Sequence, residues 1–76
     1  MDVGLAIEQI ACEYIHAVET EGTIKSAHEG YAVILEELDE LKAVVWQKPK
    51  DRDIEQMRKE AKQVAAMALR FMVDVT

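Results

Sequence analysis

The residues of this chain best suited to chemistry are the acids of the run Glu36-Glu37-Leu38-Asp39-Glu40. Glu37 and Glu40 stand three apart, the spacing that sets two side chains next to each other on an α-helix. Glu36 adjoins them, and their shared face falls between Leu38/Leu41 and solvent. Further along, Glu60 and Gln63 repeat the three-residue spacing. Crowded carboxylates repel one another and lose hydration, and a divalent cation removes both costs. An all-oxygen donor set suits magnesium, with manganese as a substitute. A water activated at such a site attacks phosphorus while the cation offsets charge on the phosphate oxygens. The competing reading is a solvated helix face, which is what an acidic run most often is. Against it, Lys42 is the only base between the run and Lys48.

Three helices must position these side chains. In the first stretch Val3, Ile7, Ile10, Tyr14 and Val18 recur at helical spacing, and Gly22 can supply the closing left-handed residue. The second begins with Ser26-Ala27-His28-Glu29, a capping box, and carries Tyr31, Ile34, Leu38, Leu41 and Val45. It is expected to stop near Lys48, because Pro49 restrains the residue before it. The third opens at Asp51 or Asp53 and shows the stripe Ile54, Met57, Ala61, Val64, Ala68, Phe71 and Val75. Short connections between rods of this length predict an antiparallel three-helix bundle. If helices 2 and 3 run antiparallel, the pairs Glu37/Glu40 and Glu60/Gln63 come level.

The chain has 76 residues, room for a single domain spanning 1–76. A domain this small buries about 60% of the surface its unfolded chain exposes, so one core is marginal. Cys12 is the only cysteine, which excludes an internal disulfide and leaves a metal or self-association as reinforcement. Apolar residues on helix 2 at 31–35, 38, 41 and 43–46 exceed what one seam requires. A core completed by a second copy is therefore expected, most simply as a two-fold dimer. The net charge of −6 argues against binding a nucleic acid polymer. No basic leader or long apolar run is present, so neither a signal peptide nor a membrane partner is expected, and cytoplasm is the default location.

Together these residues resemble the MazG-like all-α nucleoside triphosphate pyrophosphohydrolases, whose signature is EExxE on one helix and ExxD on the next. Glu36-Glu37-Leu38-Asp39-Glu40 and Glu60-Ala61-Lys62-Gln63 carry the likeness, within flanking stretches His28–Leu41 and Met57–Phe71, so that it covers about residues 26–75. The resemblance implies a magnesium-dependent hydrolase converting a nucleoside triphosphate to the monophosphate and pyrophosphate, built as a homodimer or homotetramer. It places Glu37, Glu40 and Glu60 as cation ligands, with Gln63 assisting and Glu36 the accompanying acid of the catalytic group Glu36, Glu37 and Glu40. Gln63 stands where the family has an aspartate. An amide oxygen can bind a hard cation but brings no charge, so this departure weakens the case for catalysis. The alternative is a non-catalytic helical interaction protein that keeps the fold. A third reading, an acidic helical adaptor with no nucleotide link, requires both halves of the likeness to be coincidence.

The remaining reactive types carry less. His16 and His28 lack partners at ligand spacing, which leaves a weak zinc case. Cys12 has no nucleophile context and is expected to be a buried structural cysteine. Trp46 suits an oligomer interface or a nucleobase. Met57, Met67 and Met72 read as core or interface filling. Lys59, Lys62, Arg58 and Arg70 are candidates for phosphate only if the fold brings them to the acids.

Overall fold

The computed structural model of residues 1–76 contains three α-helices and no strand. Helix α1 spans Val3–Glu21, α2 spans Ala27–Val45 and α3 spans Ile54–Val75. Each start has a carboxylate or hydroxyl that satisfies free backbone donors. Asp2 accepts from the N–H of Leu5 at 3.1 Å, Ser26 from that of Glu29 at 3.1 Å, and Asp53 from that of Glu55 at 2.9 Å. The capping-box return from Glu29 goes to the N–H of Lys25, at 3.0 Å.

Gly22 ends α1 at φ 77°, where a side chain would be strained, and its N–H reaches back to the carbonyl of Val18. Helix α2 stops at Val45, three residues short of the expected end at Lys48. Lys48 is held extended by Pro49, which opens a short 3-10 turn, Pro49–Asp51. The freed carbonyl of Val45 accepts instead from Nε of Arg52, at 2.9 Å.

Helix α3 is the central element. It packs along both α2 and α1, whereas no Cα of α1 lies within 8 Å of α2. Residues Gly30 and Phe71 meet at one end of the α2–α3 pair, and Glu37/Glu40 meet Glu60 further along, so these helices run antiparallel. On the other side Gln63 bonds Glu13 and Arg70 bonds Glu21, so α1 and α3 run parallel. The expected antiparallel order holds between consecutive helices, but α1 and α2 are two walls on an α3 floor rather than a packed pair.

The central core is small: Ala17, Ala66 and Met67 are buried, with Val33 and Ile34 against them. Ile24 closes one end from the α1–α2 connection, its N–H held by Asp74 at 2.9 Å. Helix α3 turns both apolar and polar residues inward: Ala66 and Met67 are buried, and Met57, Val64, Phe71 and Val75 of the expected stripe are half-buried. Glu60 and Arg70 are buried and Gln63 is half-buried, while Ile54, Ala61 and Ala68 of the expected core stripe are exposed. The heptad-like period of that stripe is real, but its exposed members face away from this chain's own core. Outward apolar rows also mark α1, at Val3, Ile7, Ile15 and Val18, and α2, at Tyr31, Leu35 and Leu38. Cys12, expected to be buried, is exposed, because the apolar row of α1 does not face α3.

Candidate metal centre

The cleft between the two walls brings the sequence-predicted acids together. One carboxylate oxygen from each of Glu37, Glu40 and Glu60 lies within 4.8 Å of the others. Antiparallel packing of α2 on α3 achieves this, since α2 offers Glu37 and Glu40 at a three-residue step and α3 offers Glu60 level with them. An octahedral cation holding oxygens at about 2.1 Å separates them by roughly 3 to 4 Å, so modest side-chain adjustment gathers all three on one ion.

The acids differ in surroundings. Glu60 is 7% exposed, yet it accepts no hydrogen bond and pairs with no base. Its carboxylate reaches the cavity between the walls, where water can hydrate it. Glu37 is half-buried, and its carboxyl is pushed up from an ordinary 4.5 to about 7. Loss of hydration is the main cause, followed by the charge of Glu40 and a hydrogen bond with it, then the charges of Glu60 and Glu36. At neutral pH the free cluster therefore retains part of a proton where a cation would sit. Glu36 is exposed and takes no place in the three-acid group; it acts on Glu37 only through its charge.

Gln63 lies on the same cavity of about 330 Å³, but its amide is engaged: Nε2 donates to Oε1 of Glu13 on α1. Glu13 lines this cavity and an adjoining groove, outside the three-acid group, and the sequence did not single it out. Its only signal is a place on the narrow polar strip of α1 with Ala17, four residues on, where the apolar row gives way. Lys59 and His16 also line this cavity, and neither forms an ion pair with the acids.

Arg58 and Lys62 line an adjoining groove with Lys59 rather than the acidic cavity. Arg58 is paired with Glu55 at 2.9 Å. Arg70 is committed to structure, bonding Glu21 at 2.9 Å and the carbonyl of Gly22 at 2.8 Å. His28 is exposed outside the cavity, and Trp46 is exposed with Nζ of Lys42 5.6 Å from its ring centre.

The donor set is all oxygen and anionic, and Glu60 opens into the cleft with no base paired to it. Both properties fit a hard divalent cation of the magnesium class better than zinc, which takes nitrogen and sulfur ligands. No family model matches this chain, and no curated protein or solved structure is significantly similar to it. No helix is long and apolar enough to cross a membrane.

Proposed function

We propose that this chain is a MazG-like magnesium-dependent nucleoside triphosphate pyrophosphohydrolase, acting in the cytoplasm as a homodimer or homotetramer. The observation that carries this reading is the convergence of Glu60 with Glu37 and Glu40 across the α2–α3 seam, with no base paired to any of the three. Glu37, Glu40 and Glu60 would hold the cation. When bound, magnesium offsets charge on phosphate oxygens and makes water a better nucleophile.

The chain's own residues do the remainder. The α3 floor keeps Glu60 in register with Glu37 and Glu40, and the walls leave an open cleft into which a polyphosphate can enter. Glu37, raised to about 7 while the cluster is free, would give up its proton as the cation binds, so cation uptake near neutrality releases a proton. Lys59, on the cavity rim, can balance charge on a phosphate without blocking the acids.

The assembly part of the proposal rests on surface area. A folded chain of 8.6 kDa is expected to expose about 4,700 Å². This one exposes 5414 Å², and Ile54, Leu38, Tyr31 and Ile7 are among its outward residues. The excess of roughly 700 Å² approaches the ~800 Å² that each partner buries in a standard interface. A second copy covering the outward row of α3 would turn it into interface core. The same rows support the second reading, a non-catalytic interaction protein that keeps this fold, and Gln63, neutral and tied to Glu13, favours it further.

Pyrophosphate release from a panel of canonical and damaged nucleoside triphosphates, with and without magnesium, separates the two. Turnover that requires magnesium and disappears in Glu40→Ala is expected. Absence of turnover across the panel, together with no heat of magnesium binding, overturns the enzyme reading. Light scattering at micromolar concentration tests assembly, and a species of only 8.6 kDa contradicts it.

A further inference from the structure

The acidic cavity occupies one side of the α2–α3 pair, and the opposite side is apolar. On α3 the cavity takes Lys59, Glu60 and Gln63. Successive residues turn by about 100° round a helix, so Ile54, Ala61, Ala65, Ala68 and Met72 fall within an arc of about 60° facing the other way. By the same count Tyr31, Leu35 and Leu38 of α2 lie away from its cavity residues, Glu37 and Glu40. Antiparallel packing puts both arcs on one side of the pair, where they form a continuous face. Tyr31, Ile54 and Met72 are 65%, 62% and 65% exposed there, so this chain leaves the face uncovered.

Three properties of the face select a second copy as its occupant. The first is charge. Two chains of net charge −6 repel wherever their acids meet, and no acid falls on either arc. The bases there are Lys42, whose Nζ lies 5.6 Å from the Trp46 ring centre, and Arg58 at the α3 edge, paired with Glu55. Both are engaged, so charge does not select a foreign acidic partner. The second is shape. Three alanines lower the middle of the α3 row between the larger Ile54 and Met72, an order of sizes that reads alike from either end. A two-fold contact requires that self-complementarity, and small residues let helices approach to the near end of the usual range of roughly 8–10 Å. The third is area. The chain's excess surface of roughly 700 Å² is close to the ~800 Å² that each partner of a standard interface buries.

We infer that the outer face of the α2–α3 pair is the docking surface for a second copy of this chain, which binds back to back. The two acidic clefts then open in opposite directions, and each is complete within one chain. The apolar row of α1, at Ile7 and Val18, stays outside this contact. The inference rests on the assembly part of the proposed function and not on its cation part.

The test follows mass by light scattering and sedimentation across micromolar concentrations, in full-length proteins whose helicity is checked by circular dichroism. The variants are Ala61→Glu/Ala68→Glu and Met72→Gln on the proposed face, and Ile7→Glu on α1. The wild type is expected at twice 8.6 kDa. Ala61→Glu/Ala68→Glu is expected to raise the dimer Kd by about 100-fold or more, because each copy would bury two unpaired charges. Met72→Gln weakens the dimer with a milder change, which keeps the inference testable if the double variant does not fold. Ile7→Glu leaves the mass unchanged. Calorimetry with Mg²⁺ is expected to give the same affinity per chain in the dissociated variant as in the wild type.

A wild type of 8.6 kDa overturns this inference together with the assembly reading. A dimer that Ile7→Glu dissociates and the α3 variants do not overturns the inference alone, and places the contact on α1. Loss of Mg²⁺ affinity on dissociation overturns the back-to-back arrangement, since a cleft would then need both chains. A dimer that binds no Mg²⁺ but dissociates as expected upholds the docking face and overturns the cation reading.

Discussion

Replacing Glu37 by Gln should make the cation-free protein more stable at alkaline pH and no more stable in acid. The carboxyl of Glu37 ionises near 7 in the fold, against an ordinary 4.5. Between these values the folded chain keeps a proton that the unfolded chain has lost. Stability from this group is thus present below about pH 4.5 and is lost as pH rises through 7. The full shift corresponds to about 3 kcal/mol. The cleft is open to water, which screens the repulsion, and about 1–2 kcal/mol is the expected share.

Gln removes the ionisation and therefore the penalty. For a domain of this size the gain is a rise in Tm of roughly 5 to 15 °C at pH 8, shrinking to a small remainder at pH 5. The assay is thermal and urea unfolding followed by helical circular dichroism, in a chelator and at fixed protein concentration. Adding magnesium should reverse the order, since the wild type gains a bound ion that Glu37→Gln holds less well. The reasoning is refuted if the variant is no more stable than wild type at pH 8, or if an equal gap persists at pH 5.

Gly30→Ala should destabilise by about 1–3 kcal/mol in urea unfolding, despite a better helix propensity, because its Cβ would overlap Cδ2 and Cε2 of Phe71 and crowd Ile24. Arg70→Met keeps much of the apolar packing but removes the bonds to Glu21 and to the carbonyl of Gly22, and should cost about 1–3 kcal/mol by the same measurement. Asp53→Ala strips the cap that accepts from Glu55 and Gln56 and should cost about 1 kcal/mol. Leu38→Lys, at an outward position of α2, should leave helicity intact while lowering the mass seen by light scattering if this row forms the interface.

Helix ends were largely legible from local chemistry. Ser26, Asp53, Gly22 and Pro49 act within a turn of their own position, so their effects do not depend on what packs nearby. The early end of α2 depends on Arg52 reaching back to Val45, a contact between side chain and carbonyl that no period reveals. The convergence of Glu37, Glu40 and Glu60 was legible because α2 carried Glu37/Glu40 and α3 carried Glu60/Gln63 at a matching three-residue step. Glu13 was not, since on α1 it is one glutamate among Glu8, Glu19 and Glu21. Its distinction comes from a partner fifty residues away. The orientation of α3 was legible only in part, since Met57, Val64, Phe71 and Val75 turn inward while other members of the stripe do not. Periodicity shows that Ile54, Ala61 and Ala68 share a face, but it does not say which molecule covers that face. The polar strip Glu60, Gln63 and Arg70 also turned inward, where Gln63 bonds Glu13 and Arg70 bonds Glu21 and the carbonyl of Gly22.

The two walls meet only through α3, and this sets an order of opening. The antiparallel α2–α3 hairpin, plugged at one end by Ile24, can persist when α1 lifts away, because α1 shares no direct backbone packing with α2. Release of α1 breaks the Gln63–Glu13 bond and the Arg70 contacts at Glu21 and Gly22. Amide protons of α1 should consequently exchange with solvent ahead of those in the hairpin, as a separate cooperative unit. A ligand that engages both walls would slow that exchange selectively, so protection of α1 becomes a direct report on whether the cleft is occupied.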